Sequence, residues 1–139
     1  MSSFNKLEIY REMKDMAKEF RYAISNMPKL YKYNIGMRII NLLTDMKYQI
    51  YLCNTRRDEE KLKEMRTLKD QLAHLKIYLE ECLEDHILHL KTKYSIQLPL
   101  RRLNNIISQA NKWESYTRDI LNRNKNKNDI DNEIDAIFK

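Results

Sequence analysis

Residues 27–39, "MPKLYKYNIGMRI", hold Gly36, the only glycine of the 139-residue chain, and Pro28, one of its two prolines. Pro28 disfavours helical geometry in the residue before it and has no backbone N–H to donate, so a helix arriving from the N-terminal side has to stop near Met27. Gly36 lacks a Cβ and costs about 1 kcal/mol relative to alanine inside a helix, so its place in the first turns of a following helix calls for close approach to another helix. The stretch therefore reads as a short link, "PKLYKYN", between two antiparallel helices.

Upstream, Tyr10, Met13, Ala17, Phe20, Ile24 and Met27 recur at steps of three and four, which defines one helical face. One residue on lies a basic stripe, Arg11, Lys14, Lys18 and Arg21. The next residues form an acidic stripe, Glu12, Asp15 and Glu19. The economical reading is a solvated face stabilised by opposite charges three or four residues apart, with nucleic-acid contact as the functional alternative.

Downstream, Ile35, Ile39, Leu42, Leu43, Met46, Ile50 and Cys53 mark a second helix. "NTRRDEE", residues 54–60, reads as a turn with Asp58 as N-cap. A third helix follows on the heptad-like seam Leu62, Met65, Leu68, Leu72, Leu75, Leu79 and Cys82. "KTKYSIQLP" connects it to a fourth, whose first turn suits Pro99 and whose face is Leu103, Ile106, Ala110, Trp113, Thr117 and Ile120. The expected fold is all-α, an antiparallel up-down four-helix bundle over residues 1–121. Residues 122–139 read as a polar linker, rich in asparagine and lysine, and a short amphipathic tail with Ile130, Ile134, Ile137 and Phe138.

A hydrophobic share of 42% with 33% charged residues suits helices with one solvated side. No export signal or apolar run long enough for a membrane span is evident, and Cys53 and Cys82 fall on apolar helical positions, so the expectation is a cytoplasmic protein with reduced core thiols. One glycine cannot build a phosphate loop or a dinucleotide fingerprint. No Glu-x-x-His pair precedes His74, His86 or His89, and His86 and His89 beside Glu81 and Asp85 read as an adventitious grouping. The chain is thus expected to be no enzyme and to need no cofactor or metal.

Charge is segregated. Residues 1–57 carry a net +6, 58–97 carry −2, 98–127 carry +5 and 128–139 carry −3. Such blocks favour a polyanionic partner, nucleic acid before membrane. The candidate contacts are Lys29, Lys32 and Arg38, interleaved with Tyr31 and Tyr33, then Arg56, Arg57, Arg101, Arg102, Arg118 and Arg123. Cations neutralise phosphates and release counterions, and tyrosines stack on unpaired bases. An up-down bundle puts Lys29 and Lys32 at the same end as Arg101 and Arg102, with Arg56 and Arg57 at the other.

From "LEIYREMKDMA" through "MPKLYKYNIGMRI" to "NNIISQANKW", the order of motifs resembles a small bacterial four-helix-bundle family. That family includes the accessory variability determinant of diversity-generating retroelements and the 23S ribosomal RNA intervening-sequence proteins. The resemblance covers about residues 7–113 and implies a non-enzymatic homopentameric ring with a basic surface. In the retroelement members this ring binds reverse transcriptase and nucleic acid and supports copying of template RNA into cDNA. By matched position it implies structural roles for Pro28, Gly36 and Trp113, and polyanion or interface contacts for Lys29 and Arg38. Asn111 and Lys112 stand where the family has paired glycines, so the ending is expected to pack differently. The alternatives are an rRNA-associated intervening-sequence protein and a protein-only helical adaptor.

Overall fold

The computed structural model describes residues 7–84 and 97–138, and among these the chain is all-α. Helix α1 is Glu8–Ser25. Helix α2 opens with the α-helical turn Lys29–Tyr31, passes through a π-helical turn, Lys32–Gly36, and continues as Met37–Thr55. Helix α3 is Asp58–Glu84 and α4 is Gln97–Phe138. Each packs on two others, α1 and α3 both lying against α2 and α4. No helix of the described residues is long and apolar enough to cross a membrane.

The core follows from the apolar seams. Met13, Ala17, Phe20 and Ile24 of α1 meet Ile39, Leu43, Met46 and Ile50 of α2, Met65, Leu68, Leu72, Leu75 and Leu79 of α3, and Leu103, Ile106 and Ala110 of α4 in one cluster. Each such large side chain contributes about 1.5–3 kcal/mol on leaving water. Cys53 and Cys82 are buried thiols in this cluster, outside any disulfide, and burial, with Glu64 adding to it, pushes the Cys53 thiol up to about 12. The thiolate form is suppressed there, as expected of a core cysteine.

The link between α1 and α2 is tighter than the sequence predicts. Only residues 26–28 are non-helical. Asn26 N–H donates to Ala23 O at 3.2 Å and Met27 N–H to Ile24 O at 3.0 Å, which closes α1. Pro28 then starts the next helix, its carbonyl accepting from the Tyr31 and Lys32 N–H groups at 3.0 and 2.9 Å. The ring that stops one helix presets the dihedral for the next, φ −54°. "PKLYKYN" is therefore not a loop. Likewise α2 runs to Thr55 and α3 begins at Asp58, leaving Arg56 and Arg57 as the whole turn. Asp58 is the first residue of α3, with φ 56°, a left-handed conformation that aspartate tolerates better than most residues.

The second departure is at the C-terminal side. Residues 122–138, read from composition as linker and tail, continue α4 as helix, and all are exposed. Asparagine and lysine do not forbid a helix, neither glycine nor proline interrupts this stretch, and Lys125 and Lys127 stand four residues before Asp129 and Asp131. Having left the core, α4 projects roughly 25 Å beyond it, at about 1.5 Å per residue.

Gly36 shows why the chain keeps one glycine. It is buried, and a Cβ there would lie 2.8 Å from Ile24 Cγ2, 3.4 Å from the Tyr31 carbonyl and 3.5 Å from Met27 Sδ. The close approach expected from the sequence is made to the end of α1, where Ile24 is itself buried. Gly36→Ala gains about 1 kcal/mol of helix propensity but overpacks a site where relief costs about 1–3 kcal/mol. We expect a lower melting temperature for Gly36→Ala, and a Gly36→Ala/Ile24→Ala double variant that loses clearly less than the two single losses summed.

Candidate nucleic-acid interface

The two charged stripes of α1 have different fates. Residues one step before the core seam face α4, where the Glu19 carboxylate accepts from Arg102 Nε at 2.6 Å and Glu12 accepts from Gln109 Nε2 at 3.0 Å. Asp15 lies 3.8 Å from the same guanidinium. No carboxylate of α1 forms an ion pair within α1 among the described residues, so the expected pairing along the helix is replaced by pairing across to α4. These pairs also set direction, since a later residue of α1 meets an earlier residue of α4.

Of the basic stripe, one step after the seam, Arg21 and Lys14 lie near enough to α2 for their charges to act on Lys47. Burial first, then the charges of Arg21 and Lys14, hold the Lys47 ammonium below its ordinary value of 10.5. None of the three cations forms an ion pair among the described residues. Lys14 Nζ sits 5.6 Å from the Tyr10 ring centre. On the same stretch of α2, the exposed rings of Tyr48 and Tyr51 stack with centres 5.9 Å apart and planes 22° from parallel. The result is a flank of like charge beside a pair of accessible aromatic faces.

The candidate cations read from sequence divide into two groups. Arg102 and Arg118 are committed within the fold. The Glu19 hydrogen bond foremost raises the Arg102 guanidinium still further. Arg118 joins Lys69 on Glu114, a carboxylate only 4% exposed, and Lys69 Nζ lies 2.7 Å from it. The hydrogen bond from Lys69 leads the causes that hold the Glu114 carboxyl below the usual range. Glu114 thus neutralises two cations from a nearly dry position.

Lys29, Arg38, Arg56, Arg57, Arg101 and Arg123 are exposed, Lys32 is half-buried, and none of them forms an ion pair among the described residues. They do not gather into one patch. Lys29, Lys32 and Arg38 sit where α2 begins, beside the end of α1. Arg101 is in the first turns of α4, at the same end, because Arg102 meets Glu19. Arg56 and Arg57 occupy the α2–α3 turn, and Arg123 lies on the projecting part of α4. Trp113 is half-buried against the core with Lys61 Nζ 5.4 Å from its ring centre, Gly36 is buried against the end of α1, and Pro28 is exposed at the start of α2. His86 and His89 lie outside the described residues.

Lys47 and the stacked tyrosines were not singled out from sequence. The signal was present: Lys14 follows core Met13, Arg21 follows core Phe20, and Lys47 follows core Met46. On antiparallel neighbours the same flank of each helix meets, so a cation one step after the seam on both helices brings like charges together.

Comparison of the chain with family models, with curated proteins and with solved structures returns no match.

Because Lys47 has its pKa lowered on folding, the unfolded chain holds its proton more firmly than the folded one. The cost of its charge is fully present below the folded pKa and is relieved as pH rises toward 10.5. Lys47→Met is expected to raise the melting temperature at neutral pH, because it removes a charge that burial and two neighbouring cations disfavour. As pH rises toward 10.5 wild-type stability should gain on that of the variant, as thermal melts at matched ionic strength would show.

Proposed function

We propose that this protein is a non-enzymatic, nucleic-acid-binding helical bundle. Its antiparallel up-down arrangement presents the α1–α2 flank to a phosphate backbone. The observation that carries the reading is that Lys14, Arg21 and Lys47 form no ion pair among the described residues while the charges of Arg21 and Lys14 act on Lys47, beside the exposed Tyr48–Tyr51 stack. Uncompensated cations on a folded surface have a stability cost that a polyanion removes, and aromatic faces next to them accept unpaired bases. The free cations Arg38, Arg56, Arg57, Arg101 and Arg123 extend the positive field.

The more specific role that fits this chemistry is that of an accessory to a reverse-transcriptase complex of a diversity-generating retroelement, acting on template RNA and cDNA. The support is the motif order of residues 7–113. A ring of five subunits belongs to the same reading, and an rRNA-associated role uses the same contacts. No step of this function requires a catalytic group or cofactor in the chain.

Fluorescence anisotropy with labelled single-stranded RNA and a matched DNA duplex, over about 50–200 mM salt, tests the reading, because each phosphate contact adds about 0.9 to the salt slope for B-DNA and about 0.7 for single strands. Neutralising Lys14, Arg21 and Lys47 together should lower the slope by about 2–3 and weaken both ligands. Replacing Tyr48 and Tyr51 by alanine should cost single strands about 1–3 kcal/mol per stacked base and spare the duplex. Absence of binding at the lowest salt would overturn the proposal in favour of a protein-only adaptor.

A further inference from the structure

The end of the bundle where α1 passes into α2 carries positive charge and exposed apolar side chains together. Between Glu19 and Asp45 the chain has four cations, Arg21, Lys29, Lys32 and Arg38, and no carboxylate. Arg101, in the first turns of α4, stands at the same end and forms no ion pair among the described residues. Beside these cations Leu30 is 76% and Tyr33 65% exposed. With Lys29 and Asn34 they line a shallow groove of about 570 Å³, and Lys32 Nζ lies 5.9 Å from the centre of the Tyr33 ring. The carboxylates Glu80, Glu81 and Glu84 at this end are on α3, across the bundle from α1.

The position of Leu30 decides what this end fits. It stands in the first turn of α2, at the tip of the molecule. An acidic helical peptide needs a groove walled on two sides to bury its successive anchors, whereas here the start of one helix supplies every lining residue. A nucleic acid would satisfy the lysines and leave the leucine in water. An anionic bilayer surface accommodates all of them. The leucine enters the acyl boundary and the tyrosine ring sits at headgroup level. The lysines keep their ammonium groups among the phosphates while their stems lie along the apolar layer.

The charge of the whole molecule favours the same approach. Helix α4 starts beside the end of α1, where Arg102 meets Glu19, passes Glu12 at Gln109, and runs on past the start of α1. Residues 128–139, with their net −3, therefore belong to the opposite end. A negative surface attracts one end and repels the other, which turns the molecule end-on. We infer that the α1–α2 end docks on an anionic lipid surface, with Leu30 and Tyr33 inserted and Lys29, Lys32 and Arg101 against the headgroups. The contact is peripheral. It goes beyond nucleic-acid binding and leaves the α1–α2 flank, with Lys14, Lys47 and the Tyr48–Tyr51 stack, at the side of the molecule.

Co-sedimentation of the full chain with vesicles tests it, one set of phosphatidylcholine alone and one of equal parts phosphatidylcholine and phosphatidylserine. Wild type should partition to the mixed vesicles and not to the neutral ones, and partition should fall as salt rises over about 50–200 mM. Leu30→Ser/Tyr33→Ser changes only exposed side chains and no charge, and circular dichroism melts would establish that it folds. It should weaken partition about tenfold or more, since two apolar side chains no longer leave water, and should leave oligonucleotide binding unchanged. Lys29→Gln/Lys32→Gln should weaken partition about fivefold per cation. Lys14→Gln/Lys47→Gln should do the reverse of the Leu30 and Tyr33 variant, weakening oligonucleotide binding and sparing the vesicles. No partition at the lowest salt, equal partition to both vesicles, or undiminished partition of Leu30→Ser/Tyr33→Ser would overturn the inference. So would a loss of oligonucleotide binding in that variant as large as its loss of vesicle binding, because the tip would then belong to nucleic acid.

Discussion

The division of charge about α1 governs the electrostatics of the whole molecule. Glu12, Asp15 and Glu19 turn toward α4, where Arg102 and Gln109 receive them. With the acids turned that way, the cations one step round the helix form no ion pair among the described residues, and the charges of Arg21 and Lys14 act on Lys47 of α2. Packing and charge are thereby coupled. The contact that aligns α1 with α4 is also what leaves the α1–α2 flank positive. A helix with interleaved charges would ordinarily be self-compensating; this one exports its negative charge to a single neighbour.

The second constraint is steric. Gly36 lets the start of α2 lie against Ile24 and Met27, and the π-helical turn Lys32–Gly36 sits where that approach is made. A π turn shifts the register of the side chains that follow it, and such turns are frequent at functional sites. Here the turn joins the exposed Leu30 and Tyr33 to a segment whose next buried residues, Gly36 and Ile39, belong to the core. The same few residues thus bring Gly36 against the end of α1 and line an exposed groove with Leu30 and Tyr33.

The seams were legible because three- and four-residue steps leave little choice of face. Met65, Leu68, Leu72, Leu75, Leu79 and Cys82 are buried as their spacing predicts, and Pro99 lies in the first turn of α4. The boundaries were less so. Pro28 was read for the helix it ends rather than the one it starts, and the asparagine–lysine run after Leu121 was read by composition, which describes solvation better than backbone conformation. Among the candidate cations, sequence could not separate Arg102 from the rest, because its carboxylates come from α1, whereas Glu114 stands four residues before Arg118 on the same helix and that pairing was legible. Glu114 in particular sits next to Trp113 on the seam and carries no sign in the sequence that it would be buried.

The central claim is that Lys14, Arg21 and Lys47 form a cation cluster whose repulsion a bound polyanion relieves. Titration of the Lys47 side-chain amine by nuclear magnetic resonance, in the free protein and with a saturating single-stranded oligonucleotide, measures this directly. Burial and the charges of Arg21 and Lys14 predict a value below 10.5 in the free protein, and a bound oligonucleotide should raise it. An ordinary value in the free protein, or one that the oligonucleotide leaves unmoved, would contradict it.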